Sequence, residues 1–205
     1  HYAFVVNAFV SLLKRADMTR YELFLRETRT YEIIEDVKNF RSEIGVLFLN
    51  SYNRDVLTKM FDDNRLTYTS LFKARPHIFV SKSNPLAKHE VVSLEDLEDF
   101  PYLSYDQGIH NSFYYSEEIL SQIPHKKSIV VSDRATLFNL LIGLDGYTIA
   151  TGILNSNLNG DNIVSIPLDI DDEIDIVYLK HEKATLSKMG EKFLDNLVKE
   201  VTFDN

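Results

Sequence analysis

The stretch Val130-Val131-Ser132-Asp133-Arg134-Ala135-Thr136-Leu137-Phe138-Asn139-Leu140-Leu141-Ile142-Gly143-Leu144-Asp145-Gly146-Tyr147-Thr148-Ile149-Ala150-Thr151-Gly152-Ile153 reads as strand, helix, strand. A β-branched run, Ile129 to Val131, ends in Ser132 and Asp133, whose short polar side chains can accept from the free N–H groups of a first helical turn. Leu137, Leu140, Leu141 and Leu144 then recur at helical spacing. Gly143 and Gly146 flank the helix end, where left-handed backbone is expected. Tyr147 to Ala150 resumes as a buried strand, and Thr151-Gly152 turns out of it. A helix start just beyond a strand's carboxyl end is where open α/β sheets bind small ligands.

The flanking sequence continues the alternation. On the N-terminal side, Tyr2 to Arg15 carries a wide apolar stripe (Phe4, Val5, Ala8, Phe9, Leu12, Leu13) and reads as a helix. Asp17 to Thr19 is a turn, and the alternating Tyr21 to Glu27 reads as a strand. Thr30 caps a helix from Tyr31 to Phe40 with Ile33, Ile34, Val37 and Phe40 inward. Ile44 to Leu49 is continuously apolar, as expected of a central parallel strand buried on both faces. Helix, strand, helix, strand in succession implies a parallel sheet with covering helices. Asp55 to Phe61 is a helix, and Leu66 to Phe72 and His77 to Ser81 are strands on either side of Lys73-Ala74-Arg75-Pro76, where the chain leaves its sheet. Ser93 caps a short acidic helix, Tyr102 to Tyr105 is a strand, and Asn111 or Ser112 opens a helix running to about Ile123. Beyond Gly152 a polar run precedes two strands, Ile163 to Leu168 and Glu173 to Leu179, and an amphipathic helix from Leu186 to Val201.

Composition narrows the function. The chain has 205 residues, is 44% hydrophobic and lacks cysteine. A disulfide framework, a thiolate metal site and a cysteine nucleophile are excluded, and the setting leans towards a reducing, cytoplasmic one. No apolar run approaches the about 18 residues of a membrane span, so no membrane partner is expected. Twenty-two basic against 31 acidic residues leave a net charge of −9. An acidic chain without a basic cluster is a poor nucleic-acid binder on its own. The six histidines show no pairing at metal spacing. Asp169, Asp171, Asp172, Glu173 and Asp175 lack the glycine turn of a calcium loop. No glycine-rich phosphate loop occurs, and no nucleophile, base and orienting group converge in the pattern. Neither a metal, a cofactor nor catalysis is expected. The chain opens at His1 rather than methionine, which points to a piece of a longer protein.

The order of motifs resembles the effector-binding domain of LysR-type transcriptional regulators. Tyr31-Glu32-Ile33-Ile34-Glu35-Asp36-Val37 through Ser42-Glu43-Ile44-Gly45-Val46 is similar to a helix and strand of that family. So are His77-Ile78-Phe79-Val80 with Asn84-Pro85-Leu86-Ala87, Ser93-Leu94-Glu95-Asp96-Leu97 before Phe100-Pro101, and the opening strand-helix-strand. Glu43 stands for the usual aspartate, and Asp145 for a position that is often glycine. The resemblance implies an α/β fold of two Rossmann-like subdomains with a ligand cleft between them, like type II periplasmic binding proteins. The first subdomain would combine residues 1–73 and 155–205, the second 77–151, with crossovers near 73–76 and 152–155. In the full-length protein a helix-turn-helix, a linker helix and a first strand would precede such a chain. DNA would be contacted only through that helix-turn-helix, and the domain would form a homodimer or homotetramer through the region of the first helix. The aromatic opening, His1, Tyr2 and Phe4, resembles the subset governing sulfur amino-acid uptake and synthesis in Gram-positive bacteria.

The expected partner is therefore a small-molecule effector. Its candidate contacts are Tyr2 and Phe4, Phe48 and Asn50 at the end of the central strand, Gln107 and Gly108 after the Tyr102 strand, Ser132 and Thr136 at the start of the organising helix, and Thr151 at the second crossover. Gln107 offers both donor and acceptor groups to a polar ligand; Asp133 is assigned to the cap. A solute-binding protein of a transport system would share this fold and is the alternative.

Overall fold

The computed structural model describes residues 1–16, 18–154 and 160–202. Asp17, in the expected turn, and residues 155–159, in the polar run at the second crossover, lie outside them. In chain order the elements are α1 (Ala3–Arg15), α2 (Thr30–Lys38), β1 (Gly45–Leu49), α3 (Arg54–Asp63), β2 (Leu66–Ala74), β3 (His77–Ser81), β4 (Tyr102–Tyr105), β5 (Ser128–Val131), α4 (Arg134–Leu144), β6 (Tyr147–Ala150), β7 (Ile163–Pro167), β8 (Ile174–His181) and α5 (Lys188–Thr202). They build a three-stranded sheet ordered β1-β8-β2 and a five-stranded sheet ordered β5-β4-β6-β3-β7.

The decisive stretch forms as its pattern requires. β5 and β6 flank β4 and both run parallel to it, with α4 as the crossover. The Asp133 carboxylate accepts from the Thr136 N–H at 2.8 Å and from the Thr136 hydroxyl at 2.7 Å. Leu137 and Leu141 are fully buried against Phe79, Leu103 and Val131. The helix end departs from expectation: Asp145, not a glycine, adopts left-handed backbone at φ 51°. Its carbonyl accepts from Asn84 Nδ2 at 2.7 Å, which fixes the turn. Gly146 is needed for space instead, because a Cβ there would sit 3.1 Å from both Leu103 and the Pro101 carbonyl.

The three-stranded sheet corrects the expectation of a central parallel strand. β1 pairs with β8 alone among the described residues, and antiparallel. The C-terminal strand β8 takes the centre, with Ile176, Val177 and Leu179 fully buried. β1 is buried by helices on both faces: Leu47 and Leu49 lie with Ile34 and Val37 of α2, and Phe48 with Phe4, Ala8 and Leu197. Continuous apolarity therefore reported covering layers rather than neighbouring strands.

Four other readings fail for identifiable reasons. Residues 21–27 alternate but form no strand; no described strand pairs with them, and Tyr21, Leu23, Phe24 and Leu25 are exposed. Thr30 is the first residue of α2 rather than its cap, and Phe40 falls past the helix end, exposed at φ 57°. The helix expected from Asn111 to Ile123 reduces to a single 3₁₀ turn, Phe113–Tyr115, and the bend after it carries Glu117 and Glu118 inward. Finally, β7 pairs with β3 over Ile163 to Ser81 and Pro167 to His77, so residues 163–167 belong with the five-stranded sheet although they were expected with the first subdomain. The chain returns to β8 only after Leu168. The largest core cluster joins the two sheets, running from Phe48, Ile174 and Ile176 to Ile78, Ile149 and Ile166.

Candidate functional site

A cavity of about 50 Å³ lies between the sheets. The end of β1 contributes Phe48, the start of β8 Ile174, and the chain before and into α1 His1, Tyr2 and Ala3. The five-stranded side contributes Phe79, Tyr105, Thr148, Ile149, Ala150 and Thr151 from its strands and Arg134, Leu137 and Phe138 from α4. Glu117, Glu118 and Ile119 close it from the loop after β4. An apolar enclosure with a few convergent polar groups is the usual constitution of a small-ligand site.

The polar groups form one connected set. Glu118 is fully enclosed; its Oε1 accepts from the Tyr105 N–H at 3.0 Å, while Oε2 is buried without a hydrogen-bond partner among the described residues. Burial, and then the neighbouring Glu117 carboxylate, push the Glu118 carboxyl up to about 8. Glu117 accepts from Gln107 Nε2 at 3.1 Å and lies 2.9 Å from the His1 imidazole Nδ1. That imidazole stacks on Tyr105 with ring centroids 4.2 Å apart. Burial also raises the Tyr2 and Tyr105 phenols, so both stay neutral and can donate. Arg134 pairs with Glu27 at 3.1 Å across the two halves of the molecule.

Gln107 ties this set to α2. Its Oε1 accepts from the Thr30 N–H at 3.1 Å, capping α2, while its Nε2 holds Glu117. Beside it, Arg29 donates to Asp106 at 2.6 Å, and Tyr31 stacks on His110 at 3.5 Å. The Gly108 N–H and Arg29 together hold the Asp106 carboxyl below its usual range.

Of the residues expected at the site, Tyr2, Phe48 and Thr151 lie on the cavity wall, and Gln107 reaches it through Glu117. Phe4 is packed in the core against Phe72. Asn50 closes the β1 turn, accepting from the Tyr52 and Asn53 N–H groups and donating to Asp172. Gly108 sits against the Arg29 guanidinium, away from the cavity. Ser132 and Thr136 are exposed, the latter occupied by the Asp133 cap. Sequence reasoning missed Tyr105, Glu117, Glu118, Arg134 and Thr148. One signal was legible: Arg134 is the first residue of α4, where a cation opposes the helix dipole and so points to another role. The two glutamates carried no such signal, because adjacent acidic residues in a presumed helix read as a solvated face.

A larger groove of about 340 Å³ lies elsewhere, between residues 22–28, α1 and the β1 start, lined by Val5, Phe9, Leu23, Leu25, Ile44 and Phe193. Its polar residues are engaged with one another, Arg41 with Asp36 and Glu43 with Ser187. It is an open sheet edge rather than a convergence of binding groups. Among the described residues no cluster of histidine and carboxylate side chains could hold a metal, and no helix is long and apolar enough to cross a membrane.

The family described as LysR substrate binding domain matches residues 13–202. This chain belongs to that family. The fold of this LysR substrate-binding domain is the periplasmic-binding-protein-like type II arrangement, as its two sheets and its structural neighbours show. The effector-binding domain of QuiR, solved with shikimate, superposes with a TM-score of 0.61 at 17% identity, covering 95% of this chain and 88% of that one. The BenM effector-binding domain with its effector benzoate gives 0.62 at 17%, covering 98% and 87%. HinK, a LysR family transcriptional regulator from Pseudomonas aeruginosa, gives 0.60 at 15%, covering 96% of this chain but 64% of HinK. The LysR substrate-binding domain thus spans about two thirds of that longer regulator. No curated protein matches the sequence.

Proposed function

We propose that this domain senses a small-molecule effector in the cavity between its two sheets and passes the resulting change in lobe orientation to a DNA-binding domain elsewhere in a longer regulator. The observation that carries the proposal is the convergence of Tyr2, Phe48, Thr148, Thr151, Glu117, Glu118 and Arg134 from both sides on one cavity. Family membership, and neighbours whose names state shikimate and benzoate as bound molecules, support it. The two lobes are residues 1–73 with the chain from β8 onward, and residue 77 through β7. An effector that binds one lobe orientation better than another shifts the population between them by its differential affinity. The Gln107, Arg29 and Arg134 bonds, each reaching from one half to the other, are the contacts such a shift would make or break. A regulator of this kind acts in the cytoplasm as a homodimer or homotetramer, binds effector rather than catalysing a reaction, and touches DNA only through its helix-turn-helix.

The effector class we infer is a sulfur amino-acid precursor, on the resemblance of the aromatic opening. Thermal-shift screening with O-acetylserine, homocysteine, cystine and sulfate tests this. A shift by one of them, abolished when Ala150→Phe fills the cavity, is expected. No shift by any of the four at millimolar concentration overturns the sulfur assignment. A shift that survives Ala150→Phe overturns the cavity as the site.

A further inference from the structure

We propose that residues 106–116 act as a strap fastening the lobe of the five-stranded sheet to the lobe of the three-stranded sheet, and that its release from α2 and α3 is the step that frees the lobes to reorient. The inference concerns the lobes themselves and holds whatever occupies the cavity. The segment leaves β4 after Tyr105 and is fixed again at Glu118, whose Oε1 accepts from the Tyr105 N–H at 3.0 Å. Its two ends are thus joined at the base, as in an Ω-loop. Between them lies one 3₁₀ turn, Phe113–Tyr115, and no strand.

The side chains of the loop are engaged on the other lobe. Tyr115 goes furthest. It packs against the core of the three-stranded sheet, beside Ile34, Leu57 and Val177, and among the described residues it is the one member of that cluster from the opposite lobe. Its hydroxyl donates to the Met60 sulfur in α3 at 3.6 Å. Tyr114 stacks on Tyr52, just before α3, with centroids 4.8 Å apart at 13°. His110 stacks on Tyr31 of α2 at 3.5 Å and 13°, and Tyr115 meets Tyr31 edge-on at 5.8 Å and 89°. The Arg29–Asp106 pair and the Thr30–Gln107 bond fasten the start of the segment.

The outer side of the loop is open, with Ile109 91% and Phe113 52% exposed. A segment without ladder hydrogen bonds, exposed on one side and held by a few contacts on the other, opens as a unit of its own. Each ring pair favours the fastened state by roughly two- to tenfold, and together they hold the resting domain in one orientation. Whatever turns the lobes must exceed that bias through its differential affinity. Because Gln107 Nε2 also holds Glu117, release loosens a residue of the cavity wall in the same step.

Amide hydrogen exchange, followed by NMR on the 205-residue chain, tests this. His110→Ala with Tyr114→Ala removes two fastenings from the strap at positions that are only half-buried. The Thr30 amide, whose acceptor is Gln107, and the Gly108 and Tyr115 amides within the strap are expected to exchange about tenfold or more faster. Ile78 and Val177, on the inner strands β3 and β8, are expected to keep their rates. Tyr52→Ala breaks one of the same ring pairs from the other lobe and is expected to give the same pattern.

The chain has no cysteine, so Lys59→Cys and Asn139→Cys, both exposed, place one spin label on each lobe. Their distance distribution is expected to be narrow with the strap intact and to gain a second component when the rings are removed. Unchanged exchange at Thr30 and Gly108, or a label distance that is the same with and without the rings, overturns the inference. Equal acceleration of the strap and of Ile78 and Val177 overturns it as well, because the rings would then serve global stability alone.

Discussion

The Thr30 backbone N–H donates to the Gln107 side-chain oxygen at 3.1 Å, across 77 residues of sequence. The start of α2, which covers the three-stranded sheet, is thus capped by a loop that extends a strand of the five-stranded sheet. The same amide's nitrogen holds Glu117 on the cavity wall, so helix start, loop and cavity share one side chain.

Gln107→Ala removes the α2 cap and leaves the Thr30 N–H buried without its acceptor. A loss of about 1–2 kcal/mol in unfolding free energy is expected in urea denaturation. An unchanged midpoint would mean that another group caps α2.

Asp133→Ala removes the acceptor of both the Thr136 N–H and its hydroxyl. The expected cost is about 1 kcal/mol, read from the same denaturation curves. Thr136→Val keeps the backbone bond and should cost less. Because both side chains are turned to the cap, neither change should alter effector affinity measured by calorimetry.

Gly152 has φ 81°, and a Cβ there would fall 2.5 Å from the His77 Nδ1. Gly152→Ala therefore meets both left-handed strain and a clash, with an expected destabilisation above about 1 kcal/mol. His77→Ala together with Gly152→Ala should recover the part due to the clash and leave the backbone part, which a double-mutant cycle separates.

Glu118 sets a pH dependence. Its folded-state carboxyl, at about 8, is far above the unfolded value near the usual carboxylate range. The native state then binds more protons than the unfolded state in between, so stability falls as pH rises through that window. Its contribution is fully present below the unfolded value and lost as pH passes about 8. Glu118→Gln should be the more stable protein at pH above about 8, and the advantage should shrink on acidification. Melting curves across pH check this, and parallel curves for the two proteins would refute it.

What the sequence made legible was what is local. The β5-α4-β6 unit is readable because Asp133, Leu137 and Leu141 lie at the spacing one helix demands and Ile129 to Val131 precede them. What failed depended on partners distant in the chain. Residues 21–27 have a strand's alternation, but a strand needs a neighbour, and no described strand pairs with them. Ile44 to Leu49 looked like the centre of a sheet, yet β8, arriving from about 130 residues later, holds that place. The candidate site shows the same division. Tyr2, Phe48 and Thr151 stand at element ends and could be named in advance, whereas Glu117 and Glu118 enter because the helix expected around them is replaced by a 3₁₀ turn and bends.

Amide chemical-shift mapping with saturating O-acetyl-L-serine tests the central claim most directly. The account predicts that the largest perturbations fall on both walls of one cavity, at Phe48 and Tyr2 from one side and Tyr105, Glu118, Thr148 and Thr151 from the other, with Thr30 and Gln107 following as the lobes adjust. Perturbations confined to the groove beside residues 22–28, with the cavity walls unmoved, would contradict it.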